Sequence, residues 1–257
     1  MPFRVGTNRI GRLVVGDAAL PPPPASGLIG WYDASDYTSG TTWIDKSVNG
    51  NDITLSGTYS KDTSTMGGGS VFLNTGAGTS NTVSDWSATT EITHIEILRT
   101  ATPLGSFKST WGLDIGGTGA EPSGFQLSGT GRIETWIGGN TGYYLTTQAY
   151  NTGYNQFVAR RLQSGFDPAT GTLKISYGDS NATGLTQYGS GDFNLSRGGS
   201  TTYTTTASDR MIIGQAGQLT AYRQAGYYAV NLFYNRLLSD AEIQTIYDYY
   251  SSTYNLV

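Results

Sequence analysis

The sequence predicts an all-β protein of two antiparallel sheets with one short helix near its C-terminus. Glycine is abundant, at 36 of 257 residues, whereas charged residues make up only 13%. This composition is typical of short strands joined by tight polar turns rather than of charge-rich helical or disordered chains. About a dozen strand-like runs, separated by Gly, Asn, Asp and Ser, indicate a sandwich or a barrel.

The first segment, residues 1–20, is predicted to be an anchoring arm. It carries three arginines and several apolar side chains against a single acid, Asp17. Such a segment is too apolar for a solvated tail and too short to fold alone, so we expect it to dock on another protein; the alternative is a frayed terminus. The predicted docking residues are Phe3, Arg4, Val5, Arg9, Ile10, Arg12, Leu13, Val14 and Val15.

Four consecutive prolines follow, and they predict a linker over residues 21–26. Polyproline rises about 3.1 Å per residue, so this run is expected to act as a stiff spacer of roughly 12 Å. The folded domain is then expected to cover residues 27–257.

Strand-like runs succeed one another from Gly27 onward. The clearest is EITHIEILRT (91–100), whose alternation places Ile95 and Ile97 on one face and His94 and Glu96 on the other. The other predicted strands are LIGWYDA (28–34), TTWID (41–45), DITLSG (52–57), SVFLN (70–74), SFKSTWGLDIG (106–116), GFQLSG (124–129), RIETWIGG (132–139), YYLTTQAY (143–150), YNQFVARRL (154–162), TLKISYG (172–178), RMIIGQ (210–215) and YYAVNLFYN (227–235). Residues 191–209 are predicted to form a long polar loop, a place where recognition often resides.

One segment has helical periodicity. Ser239 and Glu242 are spaced as a capping box, in which each side chain binds the other's backbone amide. Apolar residues then recur at Ile243, Ile246, Tyr247 and Tyr250, which predicts a short amphipathic helix over residues 240–250 that packs on a sheet.

Charge and composition exclude several classes of function. The net charge of −4 argues against a nucleic-acid-binding surface, and the absence of cysteine excludes disulfides, thiol catalysis and Cys-ligated zinc. No apolar run approaches the roughly 18 residues of a membrane span, so no membrane insertion is expected. Polar residues interrupt the N-terminus where a secretory signal would be continuously apolar, which favours a soluble, unprocessed chain.

Both ends of the chain carry a family resemblance. GLIGWYDASDYTSGTTWIDKSVNGNDITLSG resembles the opening of laminin-G-like, concanavalin-A-like lectin and glucanase domains. GYYAVNLFYNRLLSDAEIQTIYDYY is similar to their closing strand and short helix. The resemblance implies a jelly-roll sandwich of two curved antiparallel sheets packed face to face. The core residues expected from it and from the periodicity are Trp31, Trp43, Ile95, Ile97, Leu232, Leu238, Ile243, Ile246 and Tyr247.

An N-terminal arm on a lone lectin-like domain resembles bacteriophage virion proteins that serve as decorations or fibres. That resemblance implies location in a virion, docking on other virion proteins through residues 1–20, and a homotrimer as a further expectation. The first hypothesis is therefore a non-enzymatic virion structural protein, and the second is a carbohydrate-binding module for host surface glycans.

A glycoside hydrolase is the third and weakest hypothesis. That mechanism requires two carboxylates on either side of the scissile bond, and the E-x-D-x-x-E strand motif of the related hydrolases is absent. Glu91 and Glu96 are an odd number of residues apart and so face opposite sides of a regular strand, and Glu134 has no acidic partner on its strand. His94 is the only histidine, and we expect it to be a half-buried sheet residue.

Calcium is the one cofactor that the resemblance suggests, and the expectation is otherwise that there is none. The candidate ligands lie in the opening stretch, and the first four are the principal ones: Asp33, Asp45, Asn49, Asp52, Asp36 and Asn51. The alternative is a turn in which short polar side chains bind nearby backbone amides, and the residue pattern favours it. Trp31 and Trp43 are suited to stacking on sugar, but the resemblance places them in the core.

Overall fold

The computed structural model describes most of the domain. The described residues are 19–80, 83, 86, 89–101, 108–114, 125–127, 132–137, 142–149, 153–165, 173–181, 184–189, 192–197, 203, 205, 207–215 and 223–256. The arm residues that we expect to dock, Phe3 to Val15, lie outside this part of the chain, so their docking stays a prediction.

The described residues form two antiparallel sheets and one helix. An eight-stranded sheet has the order β14-β13-β12-β7-β17-β5-β4, with β1 also paired to β17. Its strands are β1 (Leu28–Asp33), β4 (Tyr59–Asp62), β5 (Ser70–Leu73), β7 (Glu91–Thr100), β12 (Gln156–Gln163), β13 (Leu173–Asp179), β14 (Thr186–Tyr188) and β17 (Gly226–Tyr234).

The second sheet has nine strands in the order β15-β11-β10-β9-β8-β16-β6-β3-β2. They are β2 (Thr42–Trp43), β3 (Ile53–Ser56), β6 (Ala77–Ser80), β8 (Lys108–Asp114), β9 (Phe125–Leu127), β10 (Arg132–Ile137), β11 (Gly142–Ala149), β15 (Phe193–Arg197) and β16 (Arg210–Ile213). The helix, α1, covers Asp240–Ser251. The predicted two-sheet sandwich with one C-terminal helix is therefore confirmed.

Strands β7 and β17 lie at the centre of the eight-stranded sheet and are buried on both faces. Along β7, Ile92 and Leu98 point into the core between the sheets, whereas Ile95 and Ile97 point to the opposite face. The alternation predicted from the sequence is therefore the observed one. Helix α1 covers that opposite face. Its buried residues are Ile243, Ile246, Tyr247 and Tyr250.

The start of α1 is fixed by its cap and by a buried arginine. The Ser239 side chain accepts from the Glu242 amide, and the Glu242 carboxylate accepts from the Ser239 amide at 2.8 Å, which completes the predicted capping box. Arg161, almost fully buried on β12, donates to the Asp240 carboxylate and to the Leu238 carbonyl. These bonds hold the first turn of the helix against the sheet.

A polar cluster lies inside the apolar core between the sheets. Arg160 donates to Glu96 over 2.5 Å, and both side chains are almost completely buried. The Thr110 hydroxyl donates to the same carboxylate at 3.0 Å, and His94 contacts Asn231 at 3.2 Å. His94 is completely buried, deeper than the half-buried position expected, because it packs 4.0 Å from the Trp111 ring inside the sandwich.

Four strands were not predicted from the sequence. β4, β6 and β14 have few apolar residues, since AGTS (77–80) and YSKD (59–62) are mostly small or polar. β15, Phe193–Arg197, lies within the segment predicted as a polar loop, so that expectation was wrong for these five residues. Their pairing is set by the neighbouring strand, a non-local contact that local periodicity does not reveal.

Of the two tryptophans expected between the sheets, only Trp43 is found there. Trp43 is 1% exposed in the inter-sheet core, but Trp31 is half-buried on the opposite face, where its indole nitrogen donates to the Tyr250 hydroxyl at 2.8 Å. The expectation for Trp31 was wrong because its strand, β1, pairs with β17 in a register that points this side chain toward α1. The other expected core residues are buried on the helix side: Ile95, Ile97, Leu232, Leu238, Ile243, Ile246 and Tyr247.

The proline segment contacts the folded body. Pro23 is buried, and the backbone of Ser26 accepts from the Arg236 guanidinium at 2.7 Å. The four prolines predicted a stiff spacer, but the segment contacts the folded domain, and the ring of Pro23 is buried there. Among the described residues, no helix is long and apolar enough to cross a membrane.

The capping box provides a test of the helix. We expect Ser239→Ala to lower the free energy of unfolding by about 1 kcal/mol, since the Glu242 amide loses its acceptor. Urea denaturation of the variant and of Ser252→Ala, an exposed serine at the other end of α1, measures the difference. An equal loss in both variants would contradict a specific role for the cap.

The ion pair of Glu242 predicts a pH dependence. The hydrogen bond from Arg236, assisted by those from Ser239, lowers the pKa of Glu242 from an ordinary 4.5 to about 2. Because the folded pKa is the lower one, the ionised carboxylate stabilises the fold fully above pH 4.5, and this stabilisation is lost as the pH falls toward 2. We therefore expect Glu242→Gln to have a lower melting temperature than the wild type from pH 5 to 7.

Calorimetry from pH 7 down to pH 3 checks this expectation. The gap between the two melting temperatures should narrow below pH 4.5. The gap should correspond to a difference of about 1 kcal/mol in the free energy of unfolding, as for other partly exposed ion pairs. A gap that stays constant to pH 3 would show that the charge of Glu242 is not its source.

Candidate functional site

The opening stretch of the domain is organised by one carboxylate. Oδ1 of Asp45 accepts from the amides of Trp31 and Ser47, both at 2.8 Å. Oδ2 accepts from the Ser47 hydroxyl at 2.6 Å and from the Asn51 amide at 2.9 Å. Asp45 is 6% exposed, so these four bonds replace its contacts with water. It therefore ties the loop after β2 to the first strand.

The neighbouring candidates complete this turn. Asp52 accepts from the Asp45 amide at 2.9 Å, and the Asn49 side-chain amide donates to the Leu28 carbonyl at 2.7 Å. Asn51 donates in the same way to the Ile29 carbonyl at 2.8 Å. Gly50 has a φ of +67°, a conformation that suits glycine in a tight turn. The side chains bind backbone groups, as the turn hypothesis requires.

These contacts bear on the calcium hypothesis. Ca²⁺ takes six to eight oxygen ligands, and the acceptor positions of Asp45 are already used by N–H and O–H donors. Among the described residues, no group of three His, Cys, Asp or Glu side chains is placed to hold a metal ion. The stretch is a hydrogen-bonded turn, and the residues present do not fit a calcium site.

Beside this turn lies a recess of about 380 Å³ between the end of β1 and the end of α1. We call it the Lys46 recess, and its lining residues are Ala19, Leu20, Asp33, Ser35, Lys46, Tyr249, Tyr250 and Thr253. β1 and the β1–β2 turn supply Asp33 and Ser35, the stretch after β2 supplies Lys46, and the helix supplies the tyrosines. Cavities of this size are in the range that small ligands occupy.

Lys46 is the central charged group of the recess. Its ammonium lies 2.7 Å from an Asp36 carboxylate oxygen, 3.6 Å from Asp33, and 4.8 Å from the centroid of the Trp31 ring. Partial burial alone would lower the pKa of Lys46, but the hydrogen bond to Asp36 and the charges of Asp33 and Asp36 outweigh it and raise the pKa. The lysine is therefore positively charged at physiological pH.

Tyrosines from the end of the chain surround Asp33 and the helix side of the recess. The Tyr254 hydroxyl donates to Asp33 Oδ1 at 2.6 Å, and the amide and hydroxyl of Ser35 donate to the same oxygen. Tyr250 packs edge-on against Tyr249, with ring centroids 4.8 Å apart. Burial, together with the charge of Asp33, raises the pKa of both Tyr250 and Tyr254, so these hydroxyls stay protonated. Tyr249, half-buried, presents an aromatic surface to the recess.

The other residues singled out from the sequence do not join this site. Glu96 and His94 lie in the core between the sheets, where no substrate reaches them. Burial, together with the positive charge of Arg160, lowers the pKa of His94 well below its ordinary value, so its ring is neutral. The side chain of Glu134 lies outside the described residues.

The sequence pointed to Asp33 and Asp36 only as calcium candidates and did not single out Lys46. Tyr249 belongs to a cluster of tyrosines near the C-terminus, which suits carbohydrate or protein contacts alike. The sequence does not show that the ends of β1 and α1 meet. The pairing of β1 with β17 and the packing of α1 bring them together.

No family model matches the chain, and no curated protein matches it by sequence. Solved structures match it by fold. A sialidase of Trypanosoma rangeli in complex with sialic acid is similar with a TM-score of 0.60 at 16% identity, over 91% of this chain and 34% of the sialidase. The chain therefore spans about a third of the length of that enzyme.

Two smaller structures are also similar. Domain 4 of AbnA, a GH43 extracellular arabinanase from Geobacillus stearothermophilus in complex with arabinotriose, gives a TM-score of 0.56 at 12% identity, over 86% of this chain and 98% of that domain. The binding domain of Paraclostridial Mosquitocidal Protein 1 gives 0.52 at 9% identity, over 87% and 52%. At these identities the likeness establishes the β-sandwich fold.

The turn around Asp45 yields a stability prediction. We expect Asp45→Ala to lower the free energy of unfolding by about 3 kcal/mol, because it leaves several amides of a partly buried turn without an acceptor. Asp36→Ala is the matched control, since the Asp36 side chain is 56% exposed and its ion pair is worth about 1 kcal/mol at most. Similar losses in the two variants, measured by urea denaturation, would contradict this account of the turn.

Proposed function

We propose that the chain is a carbohydrate-binding β-sandwich module and that the Lys46 recess is its binding site. The observation that carries the proposal is the combination of groups in one recess. The half-buried ring of Tyr249 can stack on the apolar face of a sugar, while Asp33, Ser35 and Lys46 surround it with charged and hydroxyl partners for sugar hydroxyls. Binding sites of this kind pair an apolar surface with a few placed polar groups.

The structural comparisons support the proposal through the fold alone. The arabinanase domain that binds arabinotriose in its crystal is matched over nearly its whole length. A sandwich of this architecture therefore has carbohydrate-bound representatives among its structural relatives. The choice of the Lys46 recess rests on its own geometry.

Binding without hydrolysis is part of the proposal. Glycoside hydrolysis needs one carboxylic acid to donate a proton and a second carboxylate on the other side of the bond. Asp33, which lines the recess, accepts three hydrogen bonds on one oxygen, and Asp36 is paired with Lys46. Both groups are held as acceptors, which suits recognition of hydroxyls better than proton donation.

Display on a virion through residues 1–20 stays a prediction from the sequence, as does a homotrimer. The comparisons give no support to a virion role. Ala19 and Leu20, at the end of the predicted arm, line the Lys46 recess, so docking through residues 1–20 and glycan binding would use neighbouring parts of the chain.

The test is a glycan array probed with the wild-type protein, followed by calorimetric titration of the best ligand. We expect Tyr249→Ala to weaken binding about tenfold, since it removes the stacking surface. Tyr154→Ala is the matched control, because Tyr154 is 40% exposed and lies outside the recess. The proposal fails if the array shows no ligand, or if the two variants bind like the wild type.

A further inference from the structure

We propose that the Lys46 recess selects neutral saccharides and rejects sugars that carry a carboxylate, such as uronic or sialic acids. This inference rests on the proposed function and adds the chemical class of the ligand. The relevant observations are the charges that line and surround the recess and the way they are already paired.

The positive charge of Lys46 is compensated within the protein. Its ammonium has three N–H donors, and it faces Asp36 at 2.7 Å, Asp33 at 3.6 Å and the π face of Trp31 at 4.8 Å. An anionic sugar that sought this lysine would have to displace Asp36 and would lose an ion pair in doing so.

A second lysine, Lys61 on β4, lies near the same two carboxylates. Lys61, half-buried, donates to the Ala34 carbonyl and lies within electrostatic reach of Asp33 and Asp36. Lys61 also lies within electrostatic reach of Asp62, so three carboxylates face two ammonium groups and no positive charge is left uncompensated to attract an acidic ligand. The carboxylate of such a ligand would meet Asp33 and Asp36 as like charges, a juxtaposition that interfaces use to exclude wrong partners.

Neutral hydroxyl groups, in contrast, fit the groups present. The Asp36 side chain is 56% exposed and retains acceptor positions beside its contact with Lys46. A sugar hydroxyl can donate to this carboxylate and accept from the hydroxyl of Tyr249 or Thr253, which line the recess. Charge-assisted hydrogen bonds of this type are stronger than those between neutral groups, so Asp36 should give much of the specificity.

The experiment compares matched pairs of oligosaccharides that differ by a carboxylate. The probes are lactose with sialyllactose, and gluco-, galacto- and manno-configured oligosaccharides with their uronic acid counterparts, each titrated into the wild-type protein. We expect at least about a tenfold preference for the neutral member of each pair that binds.

Asp36→Asn provides the sharper test, because it removes the closer of the two carboxylates that pair with Lys46 without changing the shape of the side chain. We expect it to weaken the neutral ligands and to strengthen the acidic ones, so that the preference shrinks about tenfold or reverses. Asp248→Asn is the matched control: it removes the same charge one residue before Tyr249, outside the recess lining, and should leave the preference unchanged.

The outcomes separate this inference from the proposed function. If acidic members bind as well as neutral ones, or if Asp36→Asn and Asp248→Asn give the same preference, the inference is overturned while carbohydrate binding stands. If no neutral or acidic glycan binds the wild type, the proposed function fails and the inference falls with it.

Discussion

The structure depends on the double-sided burial of two central strands. β7 and β17 form the middle of the eight-stranded sheet, and both faces of this pair are buried. A sheet that is buried on both faces requires a layer on each side, and the nine-stranded sheet supplies only one. Helix α1 supplies the other, which explains why an otherwise all-β chain ends in a helix whose first turn is fixed by Arg161, Arg236 and a capping box.

The inter-sheet layer contains a buried charge pair, which is costly by itself. Removing Arg160 and Glu96 from water is offset only if both are well bonded, and such pairs seldom add net stability. What this ion pair does determine is how the strands and the two sheets align. Glu96 on β7 binds Arg160 on β12 and Thr110 on β8, so a single carboxylate connects both sheets. A slip of one residue in either sheet would leave a buried charge unpaired, which favours one register.

Much of this fold is encoded locally, and the site is not. EITHIEILRT alternates so regularly that both its extent and its faces are readable from the sequence, and Ser239 with Glu242 marks the start of the helix. AGTS (77–80) carries no such signal, because its strand exists only through its partners. Trp31 shows the same limit at the site: alternation makes it a strand residue, but only the register of β1 against β17 decides which face it occupies.

The orientation of Trp31 is what joins the fold to the recess. With its indole directed at Tyr250, the tryptophan anchors the end of α1 and offers its ring to Lys46. Asp45 holds the Trp31 backbone, and the Lys46 amide donates to the Trp31 carbonyl at 2.8 Å. The acidic cluster in the opening stretch therefore has two distinct tasks. Asp45 and Asp52 build the turn, while Asp33 and Asp36 bind Lys46, which this turn places in the recess.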